Sequence, residues 1–201
     1  MAGRRETATF PPMEDTEALV RRAAFRALLE GDPAGREDLA TSTGQSPEAV
    51  DRALVSLARQ GRVAVDGAGV VVAAGGLSLI ATRHRLRLGQ RTFHTWCAID
   101  AIGIPAALGS DAVAETACPH CGRDLAIGIR DGATVRDPGH VAWDPAVACS
   151  NVMEEYCPEA NLFCSPEHLR AWRSGRGDPP GRPLSLGEVA ELGRDWWGDL
   201  T

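Results

Sequence analysis

Apolar residues recur at steps of three and four between residues 19 and 28, which is the spacing that lines one face of an α-helix. Asp15 and Thr16 can cap the start of this helix. Another helix start is indicated at Ser46, because the proline that follows suits a first helical turn, and Gly61 ends that helix. A short helix is predicted between the two. The three predicted helices cover residues 15–30, 36–41 and 46–60.

Two short apolar segments, residues 62–65 and 70–73, follow the helices and are separated by a glycine-rich turn. They predict a β-hairpin. Three helices and then a hairpin are the order of elements in a winged helix-turn-helix. We therefore predict a winged-helix-like helical domain over residues 15–75, preceded by a disordered or extended N-terminus at residues 1–14.

From residue 76 the pattern changes to alternation. Residues 81–88 alternate arginine with apolar residues or histidine and predict a strand, which a Gly-Gln turn returns into a second strand at residues 91–95. Residues 98–108 are apolar except for Asp100 and predict a buried helix. Further elements are predicted as strands at 125–129 and 140–143, helices at 166–174 and 185–196, and a loop at 175–183. The predicted fold class is α+β, with a strand-rich mixed α/β domain over residues 76–201.

The composition indicates the cellular compartment of the protein and the state of its cysteines. None of its apolar runs approaches the roughly 20 residues that cross a bilayer, and the first ten residues carry charges without the apolar segment of a secretion signal. We therefore expect a cytoplasmic protein with no membrane partner. In a reducing compartment, its six cysteines are expected to be free thiols or metal ligands rather than disulfides.

Charge argues against a nucleic-acid partner, although winged helices often bind DNA. The chain has a formal net charge of -6. The third predicted helix offers Arg52 and Arg59 against Glu48 and Asp51, whereas groove binding usually draws on several cations that contact phosphates. DNA binding is therefore not favoured, and a structural role is expected for this domain.

Cys97 and Asp100 lie three residues apart at the predicted start of the buried helix, which would make their side chains neighbours. A helix N-terminus lowers the pKa of a thiol, so we expect Cys97 to be partly thiolate at neutral pH. Burial should instead raise the pKa of Asp100 and allow it to hold or relay a proton. The alternative that Cys97 is a small core residue and Asp100 a local hydrogen-bonding group stays open at this point.

Five other cysteines follow Cys97. Cys118 and Cys121 form a CxxC motif followed by glycine, the kind of knuckle that begins a zinc ribbon. Cys149, Cys157 and Cys164 could complete a site, but they form no second CxxC and their spacing is not that of a ribbon. The sequence therefore does not favour a structural zinc ion, and capture of a thiophilic metal or a plain turn are alternatives.

Several segments together resemble the alkylmercury lyase (organomercurial lyase) family. The Trp-Cys-Ala-x-Asp motif at residues 96–100 is specific, and it stands within a longer resemblance over residues 82–100. Residues 161–165, followed by Trp172, are similar to the family's aromatic-rich segment. Residues 184–193 are similar to its C-terminal helix. The resemblance spans nearly the whole chain.

The resemblance implies protonolysis of an organomercurial, giving a hydrocarbon and Hg(II) that stays bound as product. It implies that Cys97 and Cys157 are the thiol ligands of mercury, and that Asp100 is the proton carrier and an oxygen contact to the metal. If the loop is shifted, Cys164 or Cys149 would be the working thiol. No cofactor is required; low-molecular-weight thiols and mercuric reductase are the implied partners for the product.

A second function from another class is a non-catalytic metal-binding or metal-sensing protein that keeps the lyase fold. In that case the secondary thiols Cys118, Cys121, Cys149 and Cys164 would bind zinc, copper or mercury, since soft metals prefer thiolates, and the winged helix would contact DNA. These extra thiols are the sequence feature that raises this alternative.

Overall fold

The computed structural model describes residues 7–135 and 139–201. The three N-terminal helices are confirmed, and the second is two residues longer than predicted. Glu14, rather than Asp15 or Thr16, is the N-cap of the first helix, and its backbone N–H donates to the Glu17 carboxylate at 3.0 Å. Ser46 caps the third helix as predicted. The helices are α1 (Asp15–Leu29), α2 (Arg36–Thr43) and α3 (Pro47–Arg59).

Within the described residues, one antiparallel sheet has eight strands in the order β1-β2-β3-β5-β4-β6-β7-β8. The hairpin predicted for residues 62–73 corresponds to β1 and β2, and β1 is the edge strand of this sheet. Strand β2 also pairs with β3, so the hairpin is continuous with the rest of the sheet. The predicted domain boundary after residue 75 thus falls between two paired strands, and the division into domains stays a prediction. The strands are β1 (Val63–Val65), β2 (Val71–Ala74), β3 (Leu77–Ser78), β4 (His84–Leu88), β5 (Arg91–Thr95), β6 (Ala112–Ala117), β7 (Asp124–Arg130) and β8 (Ala133–Thr134).

A second, three-stranded sheet has the order β10-β9-β11 and consists of β9 (Val141–Pro145), β10 (Leu162–Phe163) and β11 (Gly181–Leu184). The prediction of a loop over residues 175–183 is wrong at its end. Pro183 lies in β11 opposite Trp143, and β11 has one strand neighbour, so it is an edge strand, where the N–H that proline lacks is not needed. This sheet supports the helices that follow each of its strands.

The part of the chain that the structure describes has four further helical segments: α4 (Ala98–Leu108), a π-helix (Val152–Tyr156), α5 (Pro166–Ser174) and α6 (Leu186–Trp197). The buried helix α4 has the bounds that the sequence predicts. It packs directly on α6, because Gly103 and Gly193 face each other without side chains between them. Among the described residues, no helix combines the length and the apolar character that crossing a bilayer requires.

The N-terminal segment contacts residues 147–149. Residues 1–6 of the segment predicted to be disordered or extended lie outside the described residues. Thr9 forms a parallel bridge with Ala148, and its N–H donates to the Val147 carbonyl at 3.0 Å. The segment before α1 is thus held against the loop that precedes the π-helix, close to the cysteines considered next.

Candidate active site

The start of α4 is a capping box built from the two residues that the sequence singles out. Cys97 is the N-cap, with extended backbone angles, and its Sγ accepts a hydrogen bond from the Asp100 N–H at 3.4 Å. In return, Oδ2 of Asp100 accepts from the Cys97 N–H at 2.8 Å. A helix start of this kind fixes both side chains relative to the backbone. The thiol and the carboxyl are therefore neighbours before any ligand arrives.

Cys157 comes to the same place from the π-helix, which ends immediately before it. The Cys157 N–H donates to the Val152 carbonyl at 3.0 Å, and the Ala98 N–H at the start of α4 donates to Ala160 at 3.3 Å. These bonds hold the loop after the π-helix against the start of α4. Irregular helical turns of this type occur often at functional sites.

The structure brings Cys97, Asp100 and Cys157 together, and we call these three residues the trio. Their two sulfurs and one carboxylate oxygen all lie within 4.8 Å of one another. All three residues are buried, and Cys97 is 0% exposed. Cys149 and Cys164, the alternative working thiols, are not members of the trio. Two thiols and a carboxyl at this spacing can share contacts to one soft metal ion.

The expectation that Cys97 is partly thiolate is wrong for the ligand-free protein. Burial raises the pKa of Cys97 well above its ordinary value, and the hydrogen bond with Cys157 and the nearby Asp100 charge raise it further. The backbone N–H at the start of the helix lowers the pKa of Cys97, but only weakly. The loss of hydration of a fully buried thiolate has the larger effect. The bond with Cys97 lowers the pKa of Cys157, but burial and Asp100 outweigh it, so this pKa is also raised. Both thiols are therefore protonated at neutral pH.

Asp100 behaves as the sequence predicts. Burial raises the pKa of its carboxyl to about 7, against the lowering effect of hydrogen bonds from Cys97 and of the Arg21 cation. Gly76 closes over this carboxyl: it has a φ of +90°, and a Cβ there would lie 2.7 Å from Asp100 Cγ. Only glycine fits both the backbone angle and the space. Gly76 is a site residue that sequence reasoning missed.

A cavity of about 300 Å³ opens beside the trio and has Asp100 in its wall. Phe10, Tyr156 and Trp196 form an aromatic cluster in this wall, with ring centroids 5.3 to 5.7 Å apart and edge-to-face angles. Arg21 adds a cation to the wall, and burial lowers its pKa to about 10. The cavity thus joins an aromatic wall to charged side chains, which include two arginines and, besides Asp100, two further aspartates.

Tyr156, which precedes Cys157, is anchored from behind. Its hydroxyl donates to Oδ1 of Asp144 at 2.9 Å, and Oδ2 of Asp144 accepts from the Arg182 guanidinium at 2.9 Å. Asp144 is buried in β9, and Arg182 lies opposite it in β11. The second sheet therefore positions the residue next to one thiol of the trio through a charged hydrogen-bond network.

Three of the remaining cysteines converge elsewhere. Cys118, Cys121 and Cys164 lie with His168 in a second group whose ligand atoms are all within 4.8 Å of one another. Sequence reasoning considered the three cysteines but missed His168, although three residues lie between it and Cys164, which is a usual spacing of a zinc ligand pair. Cys149 belongs to neither group: its Sγ donates to the Thr9 carbonyl at 3.6 Å.

Comparison with known proteins identifies the family of this chain. The family model for MerB, alkylmercury lyase, matches residues 77–198. The alkylmercury lyase of Bacillus cereus is 31% identical over 184 residues, which cover 85% of this chain and 78% of the relative. That of Staphylococcus epidermidis is 29% identical over 182 residues, with 86% and 79% covered.

Among solved structures, the mercury-bound form of MerB2 superposes with a TM-score of 0.87 and 21% identity, covering 94% of this chain and 92% of that one. At this identity the superposition establishes the fold. The family model spans more than half of this chain, and the sequence identity to the relative from Bacillus cereus extends over most of both proteins. This chain is therefore a member of the alkylmercury lyase family.

Proposed function

We propose that Cys97, Cys157 and Asp100 carry out the carbon-mercury lyase reaction of this enzyme. The observation that carries the proposal is the proximity of two buried sulfurs and a buried carboxyl, all within 4.8 Å of one another. Mercury is a soft metal and prefers thiolates to oxygen or nitrogen ligands. The structural relative described as mercury-bound has the same fold and adds support.

The proposed reaction converts R–Hg–X and two thiols into R–H, Hg(II) bound by two thiolates, and HX. Each sulfur gives up its proton as it binds mercury: one proton leaves with X, and the other passes to the carbon while the carbon-mercury bond breaks. Asp100 carries that second proton as a general acid and contacts the metal through oxygen. No oxidant, reductant or added cofactor enters this balance.

The electrostatics of the trio support these roles. Thiols with raised pKa values stay protonated in the resting enzyme, so the protons needed for the reaction are stored at the site. A carboxyl whose pKa is about 7 is close to half protonated at neutral pH and can both accept and return a proton. An ordinary exposed aspartate, with a pKa near 3.9, would be a much poorer proton carrier.

The cavity suits the organic group of the substrate. Its volume of about 300 Å³ exceeds the roughly 150 Å³ in which an apolar cavity can hold benzene. The cluster of Phe10, Tyr156 and Trp196 would contact such a group by its ring edges and faces. We therefore infer that aryl as well as small alkyl mercurials enter this site.

Product release would proceed by thiol exchange. Hg(II) held by two buried thiolates dissociates poorly into water, so an incoming thiolate must take one bond at a time. Low-molecular-weight thiols and mercuric reductase are the proposed acceptors, and a cytoplasmic location would supply reduced thiols.

We assign the N-terminal part a structural role. The three helices α1 to α3 followed by the hairpin of β1 and β2 support the winged-helix-like interpretation of residues 15–75. The buried stripe of α3 and its nearly balanced charge argue for packing rather than for DNA binding.

The test replaces each member of the trio in turn and measures hydrocarbon release from phenylmercury or methylmercury in excess thiol. Cys97→Ser, Cys157→Ser and Asp100→Asn should each lower turnover at least about 100-fold, the scale of general acid catalysis. Asn keeps an oxygen that can accept the Cys97 N–H bond, so α4 stays capped. Cys149→Ser is the control for loss of a cysteine outside the trio and should keep wild-type turnover. Full activity in the three trio variants would overturn the proposal.

A further inference from the structure

The second group of metal-ligating side chains shares no residue with the trio, and we call it the Cys3His cluster: Cys118, Cys121, Cys164 and His168. Sγ of Cys121 lies 3.7 Å from Sγ of Cys164. Nδ1 of His168 lies 3.0 Å from Sγ of Cys164 and 3.9 Å from Sγ of Cys118. Four soft or borderline ligands thus surround one point, although they come from chain segments more than 40 residues apart.

These separations fit one tetrahedral ion. With Zn–S bonds of about 2.3 Å and a Zn–N bond of about 2.0 Å, the edges of a tetrahedron are about 3.8 Å between sulfurs and about 3.5 Å from sulfur to nitrogen. The Cys121–Cys164 separation of 3.7 Å matches the first edge, and the two sulfur-nitrogen separations bracket the second. The ligand atoms are too close together to enclose a multinuclear cluster.

The turn between β6 and β7 has the conformation that a metal-binding knuckle needs. The Gly122 N–H donates to the Cys118 carbonyl at 2.8 Å, and the Cys118 N–H donates to the Arg123 carbonyl at 2.9 Å. Gly122 has a φ of +72°, so the chain turns back directly after the CxxC motif. Backbone amides of Cys121 and Cys164 point at the Cys118 sulfur, where they would stabilise a thiolate.

The other two ligands stand at the start of α5. Ser165 is the N-cap, and its hydroxyl accepts from the His168 N–H at 3.3 Å. This cap sets the first turn of the helix, so that Cys164, just before the cap, and His168, three residues after it, lie on the same side. The imidazole also packs against His120 of the knuckle, with ring centroids 4.7 Å apart. Both halves of the site are therefore arranged by local backbone structure.

We propose that the Cys3His cluster binds one Zn(II) ion as a closed structural site, separate from the lyase site. Three thiolates and one imidazole are a common ligand set of structural zinc, and four protein ligands leave no open position for chemistry. A tetrahedral site of sulfur and nitrogen ligands selects zinc over metals that prefer planar or octahedral coordination. His168 supplies the fourth ligand that the cysteine spacing alone could not provide.

The ion would tie the β6–β7 turn to the segment that leads away from the trio. Only six residues lie between Cys157 and Cys164. Within that stretch, the Asn161 side chain donates to the Pro158 carbonyl and β10 pairs with β9. Zinc would therefore restrict the chain on the C-terminal side of Cys157, where Ala160 is already bonded to the start of α4.

The experiment measures zinc in the full chain, expressed without mercury, reconstituted with ZnCl2 and passed over a chelating column. Elemental analysis should give about one zinc per chain. Cys121→Ser removes an exposed ligand and His168→Ala removes a half-buried one. Each should weaken zinc affinity at least about tenfold, because losing even a residue that hydrogen-bonds to a ligand has an effect of that size. Replacing zinc by Co(II) should give the absorption of a tetrahedral thiolate site, and this absorption should change in both variants.

Matched variants separate this proposal from the proposed function. Cys149→Ser removes a cysteine outside both groups, and Cys157→Ser removes a thiol of the trio; both should retain one zinc per chain. Circular dichroism of every variant confirms that it is folded. Four outcomes would each overturn the proposal. Two concern the amount of zinc: less than about one tenth per chain in the wild type, or loss of zinc from Cys157→Ser. The other two are unchanged zinc binding in Cys121→Ser and His168→Ala, and uptake of Hg(II) but not of Zn(II) by the cluster. An inactive lyase that still binds zinc would count only against the proposed function.

Discussion

Gly76 gives the sharpest test of how Asp100 is positioned. In Gly76→Ala, the new Cβ would lie 2.7 Å from Cγ and 2.8 Å from Oδ1 of Asp100. Ordinary contact begins at 3.4 Å, so the carboxyl must retreat by about 0.7 Å. A displacement of about 1 Å at a reacting group can cost about 100-fold in rate, and we therefore expect turnover to fall about 10- to 100-fold.

The same substitution also strains the backbone, and this effect must be separated from the loss of positioning. Holding alanine at a φ of +90° costs about 1–2 kcal/mol, and weakening the cap of α4 adds about 1 kcal/mol. We expect urea unfolding to show a total loss of about 2–3 kcal/mol. Assays at a temperature where the variant is fully folded then report on the carboxyl alone.

Gly69→Ala is the matched control. Gly69 has a φ of +80°, and a Cβ there meets nothing within 4 Å. It should lose the same 1–2 kcal/mol or so of backbone strain while keeping full turnover. If Gly76→Ala is as active as Gly69→Ala when both are folded, the reasoning that Gly76 fixes the position of Asp100 is refuted.

Three other predictions concern stability and are checked by urea unfolding. Gly193→Ala puts a methyl group between α4 and α6 and should cost about 1–3 kcal/mol, whereas Gly187→Ala, on an open face of α6, should cost nothing; equal effects would contradict the close approach. Asp144→Ala leaves its arginine partner and the tyrosine hydroxyl unpaired and should cost about 3 kcal/mol, against less than about 1 kcal/mol when the exposed ion pair of Arg170 is removed. Burial lowers the pKa of His84 from 6.5 to about 3, so between these values the unfolded chain takes up a proton at this position and the folded one does not; the stability that His84 contributes, measured as wild type against His84→Gln, is complete above about pH 6.5 and falls by up to about 1.4 kcal/mol per unit as the pH drops, whereas the raised pKa of Asp100 acts in the opposite direction in both proteins.

The pattern of apolar and polar residues predicted those helices and strands whose bounds depend on interactions between residues close in sequence. Helix α4 could be bounded to the residue, because an apolar run follows a possible capping pair and Gly109 adopts a left-handed conformation at its end. The hairpin that leads to Cys97 was equally clear from alternation. Strand β11 was missed because glycine and proline are typical of loops, and only the position at the edge of a sheet permits them there.

The parts of the two sites that sequence could not predict depend on long-range contacts. The position of Cys157 depends on the π-helix and on the bond between Ala98 and Ala160, neither of which leaves a pattern in the sequence. Cys164 and His168 have the spacing of a zinc ligand pair, but they meet the distant CxxC only through tertiary packing. The pKa of Cys97 was predicted in the wrong direction, because the sequence shows the helix start but not how completely it is buried.

The capping box at the start of α4 places two selective pressures on one pair of side chains. Asp100 accepts the Cys97 N–H bond that starts the helix, and it is also the carboxyl proposed to carry the proton. Asparagine at this position would still accept that bond, whereas it could not transfer a proton in the same way. A lineage released from mercury exposure could therefore lose catalysis through Asp100→Asn without any penalty in folding. In a search for proteins that keep this fold but have changed their chemistry, the residue at this position should be inspected first.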